Sequence, residues 1–208
     1  PVSGHRLINR KVLVVRMKKT LFLSPPSFEG FDGGAGSRYQ CKREVRSFWY
    51  PTWLAQLAAL VPDSTLIDGP AGGYTLDQIL PEAAKHEILI IYTSTPTYNN
   101  DVKVAEALKN ANPDLLVGFC GAHVVVKWEE VLIGSSTIDF VCDKEFDFTV
   151  QEVCEGKPLK DVVGLYYRDG DQIKFTGPRP IIHDMDSLPW VAPIYKKFLQ
   201  AKNYYNGY

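Results

Sequence analysis

ILIIYTSTPTYNNDVKVAEALKNANPDLLVGFC, residues 88–120, decides the fold. It opens on a short, continuously apolar run at 88–92 and passes through a loop of small hydroxyls and amides. It then sets Val104, Ala105 and Leu108 on one helical stripe behind Asn100 or Asp101 as N-cap. Asn112-Pro113 stops that segment, and a second apolar run follows at 115–119. Strands apolar on both faces, joined by an amphipathic helix, are the signature of a βαβ unit in a buried parallel sheet. Working outward, similar runs lie at 20–23, 65–67 and 138–142. Helix-like segments separate them: 52–60, 75–85 behind Thr75, 124–133 ending at Gly134, and 148–155 ending at Gly156. The alternation predicts a flavodoxin-like (Rossmann-like), doubly wound α/β sheet of five parallel strands in the order 2-1-3-4-5.

After Pro158 the grammar changes. Runs 163–168 and 172–176 flank Asp169-Gly170-Asp171, which predicts a β-hairpin appended outside the main sheet. Past Gly177-Pro178-Arg179-Pro180 no periodic core is evident, and Trp190, Tyr195, Phe198, Tyr204, Tyr205 and Tyr208 are expected to form an open patch. The organisation read from the sequence is therefore an extension at 1–16, an α/β domain at 17–160, the hairpin at 161–180 and a linker toward a further domain at 181–208.

Of the 208 residues 45% are apolar and 23% charged, so the chain can bury a sizeable core. With 23 basic and 24 acidic residues the net charge is −1, which leaves no basic field for nucleic acid or an anionic membrane. No apolar run approaches the roughly 20 residues of a membrane span, and the first 16 residues lack a signal-peptide core, so a cytoplasmic location is expected. Cys41, Cys120, Cys142 and Cys154 form no CxxC pair, so they read as small buried hydrophobes in a reducing compartment.

In an open parallel sheet, ligands lie outside the carboxyl ends of the strands. The first such loop, residues 24–50, is long and carries Ser24-Pro25-Pro26, several glycines and the cations Arg38, Lys42, Arg43 and Arg46. It has no GxGxxG, which leaves a dinucleotide site unsupported. The third loop, Thr93-Ser94-Thr95-Pro96-Thr97, suits a phosphate or the polar tail of a cofactor, or else serves as an elaborate helix cap. The fourth, Gly121-Ala122-His123, offers close backbone approach, and the fifth carries Asp143 and Glu145 before a helix. No GxSxG, HExxH, P-loop or cysteine beside a base is present, so no catalytic residue and no protein metal site is expected: the span reads as a binding module.

The runs KTLFLSPPSFEGFDGGAGSRYQ, SFWYPTWLA, TSTPTYNNDVKVAEALK, NPDLLVGFCGAHV, IDFVCDKEFDFTVQEVCEGKPL, GLYYRDG and DMDSLPWVAPIYKK carry a resemblance over nearly all of residues 18–208. They are similar to the N-terminal cobalamin-binding part of B12-dependent radical SAM proteins, with the closest likeness to the hopanoid-biosynthesis-associated group. The resemblance implies a corrinoid across the strand ends, its tail beside the third and fourth strands. Site residues would come from Ser24, Pro25, Pro26, Thr93, Ser94, Thr95, Pro96, Gly121, Ala122, His123, Asp143 and Glu145. It further implies that residues 181–208 lead to a radical SAM barrel, where a CxxxCxxC motif would hold a 4Fe-4S cluster and S-adenosylmethionine would bind. The DxHxxG motif, whose histidine ligates cobalt in mutases, is replaced here by Ser24-Pro25-Pro26-Ser27-Phe28-Glu29-Gly30, so binding would be base-off without a protein histidine. The alternatives are a cofactor-free docking domain for that barrel and a flavin mononucleotide or phosphate site on the TSTPT loop.

Overall fold

The computed structural model describes residues 16–30, 47 and 49–204. The elements run β1 Thr20–Ser24, α1 Thr52–Leu60, β2 Thr65–Asp68, α2 Gly69–Gly72, α3 Leu76–Ala83, β3 Ile88–Tyr92, α4 Tyr98–Ala111, β4 Leu116–Cys120, α5 Ala122–Gly134, β5 Phe140–Cys142 and α6 Asp147–Cys154, followed by β6 Leu165–Asp169, β7 Gln172–Phe175 and α7 Ala192–Phe198. Strands β1 to β5 pair in parallel in the expected order 2-1-3-4-5. Alternate residues serve two cores. Phe22, Ile88, Ile90 and Phe140 face α1, α6 and α7, whereas Leu21, Leu23, Leu89, Ile91 and Phe119 face α3, α4 and α5. Gly118 leaves room for the first core, since a Cβ there would lie 2.1 Å from the Phe140 ring.

The hairpin does not stand apart. β6 pairs antiparallel with β5, matching Phe140 to Tyr167 and Cys142 to Leu165, and β7 pairs with β6, so among the described residues the sheet has seven strands in the order β2-β1-β3-β4-β5-β6-β7. The correction has a simple cause. β5 would otherwise expose an unpaired edge, and β6 alternates as a sheet strand should, with Leu165 and Tyr167 buried in one core and Tyr166 packed on the other. Trp128, Tyr166 and Phe175 stack in a ladder on that second face, at 4.1 and 4.3 Å between centroids. From β6, Arg168 reaches the end of α5, its Nη2 donating to the carbonyls of Leu132 and Ser135 (3.1 Å to the latter). Arg168→Ala should therefore cost about 1–2 kcal/mol, because the last carbonyls of α5 lose a charged donor. An unchanged urea midpoint would show the cap to be dispensable.

Residues 181–204, the exit segment of the sequence reading, also depart from expectation. Ile194, Tyr195, Phe198 and Leu199 pack against the first core, and Tyr204 is 2% exposed, so these rings do not form the open patch. Trp190 does remain open, at 87%. Tyr205 and Tyr208 lie outside the described residues. Among the described residues no helix is long and apolar enough to cross a membrane.

Candidate functional site

A cleft of about 440 Å³ opens where the carboxyl ends of β1 and β3 meet the start of α1. Its volume falls in the range of small-molecule sites, about 300–1,000 Å³. The walls are aromatic: Trp49, Tyr50, Trp53 and Tyr92. Trp53 and Tyr92 are nearly parallel, 17° apart with centroids at 6.4 Å, and Phe146 of the β5–α6 loop backs Tyr92 at 6.2 Å. Trp49 and Trp53 are 63% and 58% exposed, so large apolar faces are presented to whatever enters. α1 follows Pro51 at its N-cap, with no side-chain cap and no acid in its first turn, which leaves the positive end of the helix toward the cleft.

The polar side of the cleft is Ser24, Ser94 and Thr97. A buried carboxylate organises it. Asp101, 1% exposed, accepts from Thr93 Oγ1 (2.7 Å) and Thr97 Oγ1 (2.8 Å) through Oδ2. With its proton given to Asp101, the Thr97 hydroxyl accepts from the Ser94 amide (3.2 Å) and from Ser94 Oγ (3.0 Å). The Ser94 oxygen is thereby left with lone pairs for a ligand donor. The local backbone follows, for the amides of Thr97 and Tyr98 both donate to the Ser94 carbonyl, so α4 starts at Tyr98 rather than at Asn100 or Asp101. Asn100 instead ties down the β1 loop, donating to the Pro26 carbonyl (3.1 Å) and accepting from the Phe28 amide (2.6 Å).

Of the residues expected to form a site, Ser24 and Ser94 line the cleft. Pro25 and Pro26 are buried, Pro26 close against Gly69 of α2. Thr93 is fully buried and committed to Asp101. Thr95 and Pro96 are exposed, and Thr95 Oγ1 pairs with His123 Nδ1 at 3.2 Å. His123 belongs to the opposite face of the sheet, stacked on Tyr98 at 4.4 Å and 6% exposed. Burial pushes its imidazole below the ordinary value, consistent with a neutral ring whose Nε2 finds no partner among the described residues. Gly121 adopts φ +107°, and a Cβ there would sit 2.6 Å from the Thr93 carbonyl oxygen. The close approach is thus to the protein's own backbone. Ala122 is exposed next to it. Asp143 and Glu145, half-buried in the β5–α6 loop, do not line the cleft. The cationic set Arg38, Lys42, Arg43 and Arg46, and Cys41, lie outside the described residues.

Cys120, Cys142 and Cys154 are free and buried, and burial pushes all three thiols up, so none has thiolate character. Among the described residues no group of three or more His, Cys, Asp or Glu is placed to hold a metal ion. The sequence does not single out the aromatic wall, and it marks Thr97 only as part of the hydroxyl loop and Asp101 only as a candidate helix cap. The available signal was the ring density of WYPTW directly after a long strand-end loop.

No family model matches the chain. In sequence it is 28% identical over 184 residues to an uncharacterized methyltransferase of Pyrococcus horikoshii, a match covering 84% of this chain and 38% of that protein. It is 26% identical over 155 residues to the anaerobic magnesium-protoporphyrin IX monomethyl ester cyclase of Synechocystis, covering 70% of this chain and 30% of that one. The chain therefore spans only 38% and 30% of the lengths of these two curated relatives. In structure it resembles the radical S-adenosylmethionine methyltransferase TsrM of Kitasatospora setae, solved with cobalamin and a 4Fe-4S cluster bound, at a TM-score of 0.56 and 10% identity. That match covers 84% of this chain and 31% of TsrM, and at this identity it establishes the shared α/β fold.

Proposed function

We propose that this chain is the cobalamin-binding module of a radical SAM enzyme, holding its corrinoid base-off without a protein histidine, and not catalytic alone. The observation that carries the reading is the cleft's position and chemistry: an aromatic-walled space at the carboxyl ends of β1 and β3 with a hydroxyl floor. The residues present fit one part of such a cofactor. A volume near 440 Å³ takes a flat heterocyclic base and its ribose, not a whole macrocycle, and Ser24, Ser94 and Thr97 offer hydroxyls to its polar atoms. Among the described residues lining the cleft there is no imidazole or thiol. When bound, a corrinoid supplies alkyl-transfer chemistry at cobalt. The chain's own part is to bind it, orient it and keep the Ser94 oxygen ready to accept a hydrogen bond.

The remaining parts of the proposal follow from this. The 4Fe-4S cluster, S-adenosylmethionine and the radical SAM barrel would belong to the rest of the parent polypeptide, consistent with the fraction of each relative that the chain covers. A cytoplasmic parent in the hopanoid-associated group is the finer version of the same reading. Hydroxocobalamin mixed with the protein should survive desalting, and Trp53→Ala should weaken it about tenfold, as loss of a central aromatic contact does. Because Trp53 is 58% exposed, that variant should keep its melting temperature. If no corrinoid is retained by the wild type, the docking-domain reading takes over, favoured by the exposed Trp190, Ile181 and Met185 on the exit segment.

A further inference from the structure

We infer that residues 191–204 act as a strap that sets the wall of the cleft, so that ligand occupancy and the seating of this exit segment are thermodynamically coupled. The inference takes its ligand from the corrinoid reading and its mechanism from the contacts that follow. Tyr50 lines the cleft, and its ring is stacked between two rings of the exit segment: Tyr195 at 4.8 Å and 26°, and Tyr204 at 4.2 Å and 15°. Thr52, the first residue of α1 and also in the cleft wall, has Oγ1 2.8 Å from the Tyr195 hydroxyl. One turn on, Gln56 Nε2 donates to the Pro189 carbonyl at 3.0 Å.

The strap is anchored at its far end. Tyr204 is 2% exposed and donates through its hydroxyl to Asp68 Oδ2 (2.8 Å) at the end of β2. The Ser47 amide donates to the Asn203 carbonyl (3.2 Å), and Ser47 and Tyr204 form an isolated parallel bridge. At the start of α1 no side-chain cap adds to these contacts. Lifting the strap removes the ring on each side of Tyr50 and frees Thr52. By linkage, a ligand that needs this wall in place must in turn hold the strap down. The segment that leads out of the domain therefore reports on whether the cleft is filled.

The test is a hydroxocobalamin titration combined with amide hydrogen exchange on the full chain, for the wild type, Tyr195→Phe, Tyr204→Phe and Tyr204→Ala. The phenylalanine variants keep the stacked ring and lose one hydrogen bond, and should weaken binding about threefold, whereas Tyr204→Ala should weaken it about tenfold. Hydroxocobalamin should also slow exchange at amides 191–204 of the wild type. Unchanged affinities below the melting transition, or no protection of 191–204 by bound ligand, would overturn the coupling even if every variant melted earlier. If the wild type binds no hydroxocobalamin, the corrinoid reading fails by itself. The strap then stands if Tyr204→Phe speeds exchange at amides 52–57 with β3 and β4 unchanged, and falls if it does not.

Discussion

Gly121→Ala is expected to lower stability by about 3 kcal/mol or more, through backbone strain plus overpacking at one position. Gly121 sits at φ +107° and ψ 178°, a region open essentially only to glycine. The added Cβ would lie 2.6 Å from the Thr93 carbonyl oxygen and 3.0 Å from the Tyr92 ring. The carbonyl cannot easily yield, because the Thr93 amide is hydrogen-bonded to the Cys120 carbonyl (2.8 Å) at the carboxyl ends of β3 and β4. Gly177→Ala makes the control, with φ +91° but nothing within 4 Å of the new Cβ, so the difference in urea midpoints isolates the clash. Equal midpoints would mean that the β4–α5 turn is not built as described. One consequence concerns ligand mapping: lost corrinoid binding in any Gly121 variant reports a displaced Thr93–Ser94 backbone, not a side chain in the cofactor's path.

Asp101→Ala should also be costly, about 2–3 kcal/mol, since it strands the buried Thr93 hydroxyl and turns the Thr97 hydroxyl to its longer contact with the Ser94 carbonyl at 3.2 Å. Thr93 and Thr97 both give their protons to this carboxylate, and Thr97 in turn fixes Ser94. The effect should therefore reach the cleft, with hydroxocobalamin affinity falling about tenfold as Ser94 loses its fixed orientation. Asp101→Asn keeps an acceptor oxygen and should lose about 1 kcal/mol with a smaller loss of affinity. If Asp101→Ala were as stable as the wild type, the carboxylate could not be what organises the floor.

The parallel sheet was legible because its strands are apolar on both faces and its helices are not. That contrast survives without any knowledge of tertiary contacts. The hairpin was found but misplaced, because its Asp-Gly turn is a local signal whereas pairing of β6 with β5 answers a non-local need, the open edge of β5. Exit-segment aromatics looked unpartnered for a similar reason. Their partners, Tyr50, Thr52 and Asp68, lie more than a hundred residues away in the chain. Within the site, Ser24 and Ser94 followed from the rule that ligands lie at strand ends. Asp101 was read as a helix cap and is instead an interior acceptor, a distinction that depends on which way α4 turns. Trp53 falls in the apolar run of α1, and only its 58% exposure beside Tyr92 marks it as an open aromatic face of the cleft.

The central claim is that the chain binds cobalamin base-off, with no nitrogen ligand to cobalt from the protein. It is tested most directly by the electron paramagnetic resonance spectrum of the reduced, cob(II)alamin complex after unbound corrinoid has been removed. The expected result is a stoichiometric base-off signal lacking nitrogen superhyperfine splitting, diminished in Trp53→Ala. A signal split by an axial nitrogen would contradict the base-off assignment, and the absence of any protein-retained cobalt signal would contradict the cobalamin site itself.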